Sequence, residues 1–229
     1  MGSRSGSRVF RRCINARGYH SVVQSYRRRQ SHSYPYVCVA PLYRGKQIAD
    51  LISYHYPGVS NNVKVLPSTF VTLAKHPNIV GCKLSHGDVS YHAQIGSNPK
   101  IDYNHFATFT GLGQHLLPIL SLGCAGTIDG TAGFFPKSVV HLYNLSAKTQ
   151  PTDAEIKERR DLQYKLSAVE ELVVKYGTVG IKEATSRILG LGDRDGTRLP
   201  LFGGIPGGDK EWENWKETIG ELDAVEKSM

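Results

Sequence analysis

The sequence predicts an α/β fold built on a parallel sheet. Strand-like and helix-like segments alternate at short intervals between residues 36 and 147, the pattern of βα units. The strand-like segments read as unbroken apolar runs, which is how strands covered on both faces read. After Thr152 the alternation gives way to helical periods, so an all-helical end is expected.

The elements follow in order. Tyr36-Val37-Cys38-Val39-Ala40 is a short β-rich run closed by Pro41, and Leu51-Ile52-Ser53-Tyr54 is a second, ended by Pro57-Gly58. Residues 67–74 open like a helix, with Pro67 and Ser68 at the start. Residues 78–84 form a continuous apolar run of strand length, and 88–95 the following short helix. A strand is expected over 105–109, closed by Gly111-Leu112-Gly113, then a helix over 114–122, a strand over 125–129 and a helix over 134–147. Thr152-Asp153-Ala154-Glu155 is a helix N-terminus followed by apolar residues at helical spacing, with Gly177 as a stop. Helices over 179–189 and 210–225 complete the chain, and Trp212 and Trp215, three apart, define one packing face. The expected organisation is a basic tail over 1–35, a partial (β/α) barrel region over 36–150 and a helical region over 151–229.

Composition narrows the class of function. The net charge of +8 invites a nucleic-acid reading, but residues 1–49 hold nine Arg and one Lys and no acid. The rest carries 18 basic against 20 acidic residues, so the basicity belongs to a tail. That Arg- and Ser-rich tail has the composition of an organelle transit peptide. A disordered arm touching polyanions without specificity, or a wrongly assigned start of the gene product, fits it equally. No base-recognition motif occurs. Cys13, Cys38, Cys82 and Cys124 lack Cys-x-x-Cys spacing, and Cys82 and Cys124 sit in apolar runs as small buried hydrophobes. No run approaches the roughly 18 apolar residues of a membrane helix. Asn144-Leu145-Ser146 is a glycosylation sequon without a secretory signal, and a soluble intracellular protein is expected. No Gly-x-Gly-x-x-Gly segment supports a dinucleotide fold, and Asp193-Arg194-Asp195-Gly196 misplaces the glycine of an EF-hand loop. The nine histidines show no ligand spacing and read as satisfied surface or core residues.

The chemistry concentrates at Lys83, at the end of the apolar run Pro77-Asn78-Ile79-Val80-Gly81-Cys82-Lys83-Leu84-Ser85. Burial disfavours an ammonium, and a neutral amine is a nucleophile that condenses with a ketone to a Schiff base. The competing reading is a strand-end lysine that reaches into solvent along its own stem. Tyr54, one strand earlier in Tyr54-His55-Tyr56-Pro57-Gly58, favours the first.

Together these segments resemble the dihydrodipicolinate synthase / N-acetylneuraminate lyase family of class I aldolases. There a Tyr-x-x-Pro segment ends one barrel strand and a Gly-x-Lys segment the next. Residues 77–83 look like the family's lysine strand almost residue for residue, and 126–136 like its last strand and the following turn. Gly180-Ile181-Lys182-Glu183-Ala184 and Arg198-Leu199-Pro200-Leu201 look like its C-terminal helical region, so the likeness covers roughly residues 36–203. It implies a (β/α)8 TIM barrel, for which 229 residues are slightly few against a typical length of about 250. It also implies a Schiff base at Lys83 with pyruvate or another 2-keto acid, with Tyr54 relaying protons. The Tyr-x-x-Pro spacing selects Tyr54 over Tyr56. Gly111, Gly126 and Ile128 match positions where backbone approaches the keto acid, although the glycines read equally as turn residues. Asp129 stands where relatives carry a small polar residue and either reaches substrate or caps the strand end. Family members are commonly homo-oligomers and need no metal or cofactor.

Two departures shape the expectation. The family's Gly-Thr-Thr-Gly-Glu segment and the strands that precede Tyr36 do not occur here, and residues 46–51 are too few for the usual helix. A barrel lacking its first strands is therefore expected, as in a truncated paralogue, a mis-spliced product or an incomplete gene; a class I aldolase forming the lysine Schiff base is the first expectation, and a catalytically impaired paralogue that associates with an intact aldolase the alternative. The arginine that dihydrodipicolinate synthases carry after the Tyr-x-x-Pro proline is replaced by Gly58-Val59-Ser60-Asn61. That pattern looks more like fungal and mitochondrial relatives that cleave 4-hydroxy-2-oxoglutarate or 2-keto-3-deoxy sugar acids. A mitochondrial location is the first expectation and a cytoplasmic one the alternative; 4-hydroxy-tetrahydrodipicolinate synthase is the alternative activity.

Overall fold

The computed structural model describes the backbone of residues 38–44 and 47–229, and side chains from Asp50 onward. The basic stretch over 1–35, Cys13 and the expected strand start at Tyr36 lie outside the described residues. Two compact units divide between Phe109 and Thr110. The spatial division thus precedes the change of character at residue 151.

The first unit is a sheet with two helices. Its strands are β1 (Cys38–Arg44), β2 (Gln47–His55), β3 (Ile79–Leu84) and β4 (Ala107–Thr110), adjacent in that order, with the last residue of β4, Thr110, falling in the second unit. β2 and β3 run parallel, as expected, with α1 (Pro67–Leu73) as the crossover. β1 corrects two expectations. It pairs antiparallel with β2. It also runs through Pro41 instead of ending there. Each has its own cause. β1 is the outermost strand in the order, where a proline's missing N–H interrupts no ladder. With almost no chain between Arg44 and Gln47, only a hairpin return is open to it.

α2 (Val89–Gly96) starts at Asp88, whose Oδ1 accepts the Tyr91 N–H at 3.0 Å. Phe70, Cys82, Leu84, Ile95 and Phe106 are fully buried between sheet and helices. Each of the two phenylalanines contributes about 1.5–3 kcal/mol by leaving water. Gly81 sets the spacing of β3 and β4, because a Cβ there would lie 2.5 Å from the Ala107 carbonyl oxygen.

The second unit is mainly helical. The expected helix over 114–122 resolves into a 3-10 turn, Gly113–His115, and α3 (Leu116–Ser121). The expected strand over 125–129 shortens to β5 (Gly126–Thr127), where Gly126 has φ +148°, which an L side chain rarely adopts. α4 (Pro136–Ser146) begins two residues later than expected: Phe134 and Phe135 are buried in the core and Pro136 takes the first helical position.

α5 (Asp153–Leu189) opens with a reciprocal cap between Thr152 and Glu155. Its helical geometry breaks at Gly177 (φ 56°, ψ −138°), the stop expected from the sequence. The break lets the segment bend around Gly130. A Cβ on Gly130 would strike Val173 before the break and Ile181 after it. The expected last helix divides into α6 (Gly208–Glu213) and α7 (Lys216–Ser228). Trp212 and Trp215 pack against the core of this unit, the single face expected of them.

α7 also closes the start of α4. The Glu226 carboxylate accepts the Lys137 N–H at 2.9 Å, the Ser138 N–H at 2.7 Å and the Ser138 hydroxyl at 2.7 Å. Those amides have no partner within their own helix, and the negative charge also suits the positive end of its dipole. Glu226→Ala should lower stability by about 1–2 kcal/mol, read as a shift in the denaturant midpoint, with Glu226→Gln losing less.

Candidate functional site

Tyr54 and Lys83 are register partners on the parallel strands β2 and β3. Directly opposed residues share a face, so the pairing puts both side chains side by side. Lys83 Nζ lies 4.3 Å from the centroid of the Tyr54 ring. Lys83 is half-buried, flanked in sequence by the fully buried Cys82 and Leu84. The two residues singled out from the sequence therefore meet within one unit. Tyr56 lies nearby without replacing Tyr54: its ring stacks on that of Tyr54 at 5.9 Å and is exposed.

Sequence reasoning missed Ser85. It is buried, its N–H donates to the His55 carbonyl at 2.8 Å, and its hydroxyl donates to the Tyr54 phenol oxygen at 3.1 Å. The signal was available, since residues two apart on a strand share a face and Ser85 is two beyond Lys83. The arrangement is an amine, a phenol and a hydroxyl in sequence, able to add to a carbonyl and to move protons at the resulting oxygen.

A second miss involves the residues that follow Tyr54 and Ser85. The histidines, which show no spacing in the sequence, include three that meet in space. His55 and His86 ring centroids are 5.0 Å apart, and His86 and His92 5.2 Å. Burial lowers the pKa of all three, and for His86, to about 4, with charge on its two neighbours adding to the effect. Among the described residues no group of three His, Cys, Asp or Glu could hold a metal ion.

In the second unit, the Ile128 N–H donates to the Thr110 carbonyl at 2.9 Å, which ties the end of β5 to the residue before Gly111. Ile128 exposes its side chain, whereas Gly126 is buried with the Tyr143 ring alongside. Asp129 caps the 3-10 turn Thr131–Gly133: its Oδ1 accepts the Ala132 N–H at 2.9 Å, and its Oδ2 accepts the Thr127 hydroxyl at 3.4 Å.

Asp129 has a neighbour that the sequence did not disclose. Glu170, from α5, is 1% exposed, and its Oε1 accepts the Thr131 N–H at 3.2 Å. A Cβ on Gly113 would sit 2.5 Å from Asp129 Oδ2 and 2.8 Å from Glu170 Oε1, so both carboxyls crowd the space above that glycine. Burial first, and the Asp129 charge second, push the Glu170 carboxyl well above the ordinary carboxylate range. A raised carboxyl favours its neutral form, so this contribution to stability is complete at low pH and lost as pH rises through the raised value. Glu170→Gln keeps an acceptor for Thr131 and cannot ionise. Thermal melts over a pH series should show the native midpoint falling on the alkaline side relative to Glu170→Gln, and Glu170→Ala less stable throughout.

Cys124 is buried and its thiol is pushed up to about 12 by desolvation, in keeping with a packing role. No helix among the described residues is long and apolar enough to cross a membrane.

Comparison with known proteins places these observations. The model of the dihydrodipicolinate synthetase family matches residues 46–207. A 4-hydroxy-tetrahydrodipicolinate synthase of Thermodesulfovibrio yellowstonii is 32% identical over 167 residues, covering 70% of this chain and 54% of that protein. An Emericella nidulans protein named "Probable 4-hydroxy-2-oxoglutarate aldolase, mitochondrial" is 28% identical over 179 residues, 78% of this chain and 54% of the relative. Among solved structures, the dihydrodipicolinate synthase of Thermotoga maritima superposes with TM-score 0.64 at 23% identity, over 76% of this chain and 56% of that one. The chain spans about half the length of the curated relatives it matches. Its alternation of strands and helices is that of the barrels of this group. Matched over most of its length, the chain belongs to the dihydrodipicolinate synthetase family.

Proposed function

We propose that the chain performs the chemistry of a class I aldolase on a 2-keto acid, with Lys83 as the nucleophile and Tyr54 as the proton relay. The placement of Lys83 Nζ 4.3 Å from the Tyr54 ring, on paired strands, carries the reading. Lys83 Nζ, as the free amine, adds to the keto carbon; the former carbonyl oxygen takes one proton from that nitrogen and a second from the Tyr54 relay and leaves as water, and the nitrogen remains bound as a protonated imine. The imine withdraws the electron pair released when the neighbouring carbon–carbon bond breaks, giving an enamine and an aldehyde. The phenol of Tyr54, with Ser85 donating to its oxygen, is placed to pass protons to and from the oxygens of these intermediates. For the second unit the proposal is narrower. Gly111, Gly126 and Ile128 offer backbone, and Asp129 a carboxylate, as contacts for a keto acid.

The substrate proposed is 4-hydroxy-2-oxoglutarate or a 2-keto-3-deoxy sugar acid. Gly58-Val59 after Pro57 stands where dihydrodipicolinate synthases carry an arginine, which favours a substrate other than aspartate semialdehyde. The Emericella relative's name supports the same substrate and, with the Arg-rich residues 1–35, a mitochondrial location. Assembly as a homo-oligomer is part of the proposal. A second reading rests on the half-length match: the chain forms the imine and completes turnover only beside an intact relative.

Borohydride reduction in the presence of labelled pyruvate should attach label to the native chain and not to Lys83→Ala. No label on the native chain overturns the proposal. Tyr54→Phe should slow retro-aldol turnover of 4-hydroxy-2-oxoglutarate by roughly 10²–10⁴-fold. Label without turnover, with turnover appearing on addition of a full-length relative, would select the second reading.

A further inference from the structure

His55, His86 and His92 adjoin the proposed relay along the chain, and the His55 carbonyl accepts the Ser85 N–H. His55 follows Tyr54, His86 follows Ser85, and His92 stands on α2. Two bonds at the relay, Ser85 N–H to the His55 carbonyl and Ser85 hydroxyl to the Tyr54 phenol, involve residues of this short stretch.

The backbone fixes which nitrogen of each ring carries a hydrogen. His55 Nε2 accepts the Val65 N–H at 3.1 Å, and His86 Nδ1 accepts the Asp88 N–H at 3.3 Å, so neither nitrogen can be protonated while its bond persists. His92 Nδ1 lies 2.8 Å from the Asp88 carbonyl and must be its donor. His86 Nε2 is buried with no hydrogen-bond partner. A proton arriving at His86 therefore takes Nδ1, turns an acceptor into a donor facing an N–H, and breaks the bond to Asp88. It also puts a cation between two buried imidazoles. The charged and titratable groups around the trio are Lys64, ahead of α1, and Asp88 and Tyr91, at the start of α2. Lys64 opposes protonation and Asp88 favours it, while Tyr91 meets the His86 ring edge-on at 5.7 Å. Phe70 of α1 adds an apolar wall against His55 at 5.9 Å.

We propose that the three imidazoles are an acid-sensitive positioning device: uncharged, they seat Ser85 against Tyr54, and proton uptake at His86 unseats that pair. His86 acts through Ser85 and is a positioning residue. The link to catalysis rests on the reading of Tyr54 as relay, whereas the device itself does not. Since burial lowers the three values, the sign is clear: the seated state is complete above about pH 6.5 and is lost as pH falls towards the His86 value near 4.

Two resonances of the full chain test this without substrate. The C2–H signal of His86 is assigned by its absence from His86→Asn, and the ¹³Cζ signal of Tyr54 by its absence from Tyr54→Phe. Lowering the pH from about 7.5 to about 4 should move both with one midpoint well below the ordinary histidine value of about 6.5. In His86→Asn, whose side-chain oxygen can still accept from Asp88, the Tyr54 signal should stay still. A Tyr54 signal that holds while His86 titrates overturns the device, as does a His86 midpoint at the ordinary value. If His86→Asn fails to fold, the signal is assigned by selective histidine labelling and the native titrations decide alone. With cyanoborohydride, which survives mild acid, the labelling rate of the native chain should fall below that midpoint more steeply than that of His86→Asn. Absence of label at every pH sinks the aldolase reading and leaves the two titrations to judge the device.

Discussion

One strand pairing governs the candidate chemistry. β2 and β3 run parallel with Tyr54 opposite Lys83, and a slip of one residue would turn one of the two to the other face. The register is held from several directions. Cys82 and Leu84 fill the core on one side, and the absent side chain of Gly81 admits the Ala107 carbonyl from β4. Ser85 extends the pairing beyond the strand end through the His55 carbonyl. A lysine whose neighbours are so constrained has little freedom of placement, so its position beside the phenol follows from packing.

Much of this was legible without coordinates, for a physical reason. Buried parallel strands must be apolar along their length, so Lys83 stands out in residues 79–84 as the residue that breaks the rule. The helix starts at Pro67, Asp88 and Thr152 and the break at Gly177 were legible because capping and left-handed backbone restrict residue type locally. The antiparallel β1 was not. Proline signals termination only where the lost N–H is needed, and an outer strand does not need it.

The illegible parts of the site share one property: they are assembled by residues far apart in sequence. Glu170 meets Asp129 only because α5 lies over the turn after β5, and it stands beside the exposed Glu171 with no difference of residue type to tell the two apart. The histidines of β2, the β3 end and α2 likewise carry no spacing signal, since their meeting depends on where α2 returns to the sheet. Ser85 is the exception, readable from strand alternation once the direction of Lys83 is granted.

The glycine at 177 has a consequence for how the helical end opens. It severs the ladder of amide bonds that would make Asp153–Leu189 a single cooperative rod. Fraying that starts beyond the severed point therefore need not run back into the stretch holding Leu166, Glu170 and Leu172. The two halves can exchange their amide hydrogens with solvent on separate schedules, each set by its own surroundings.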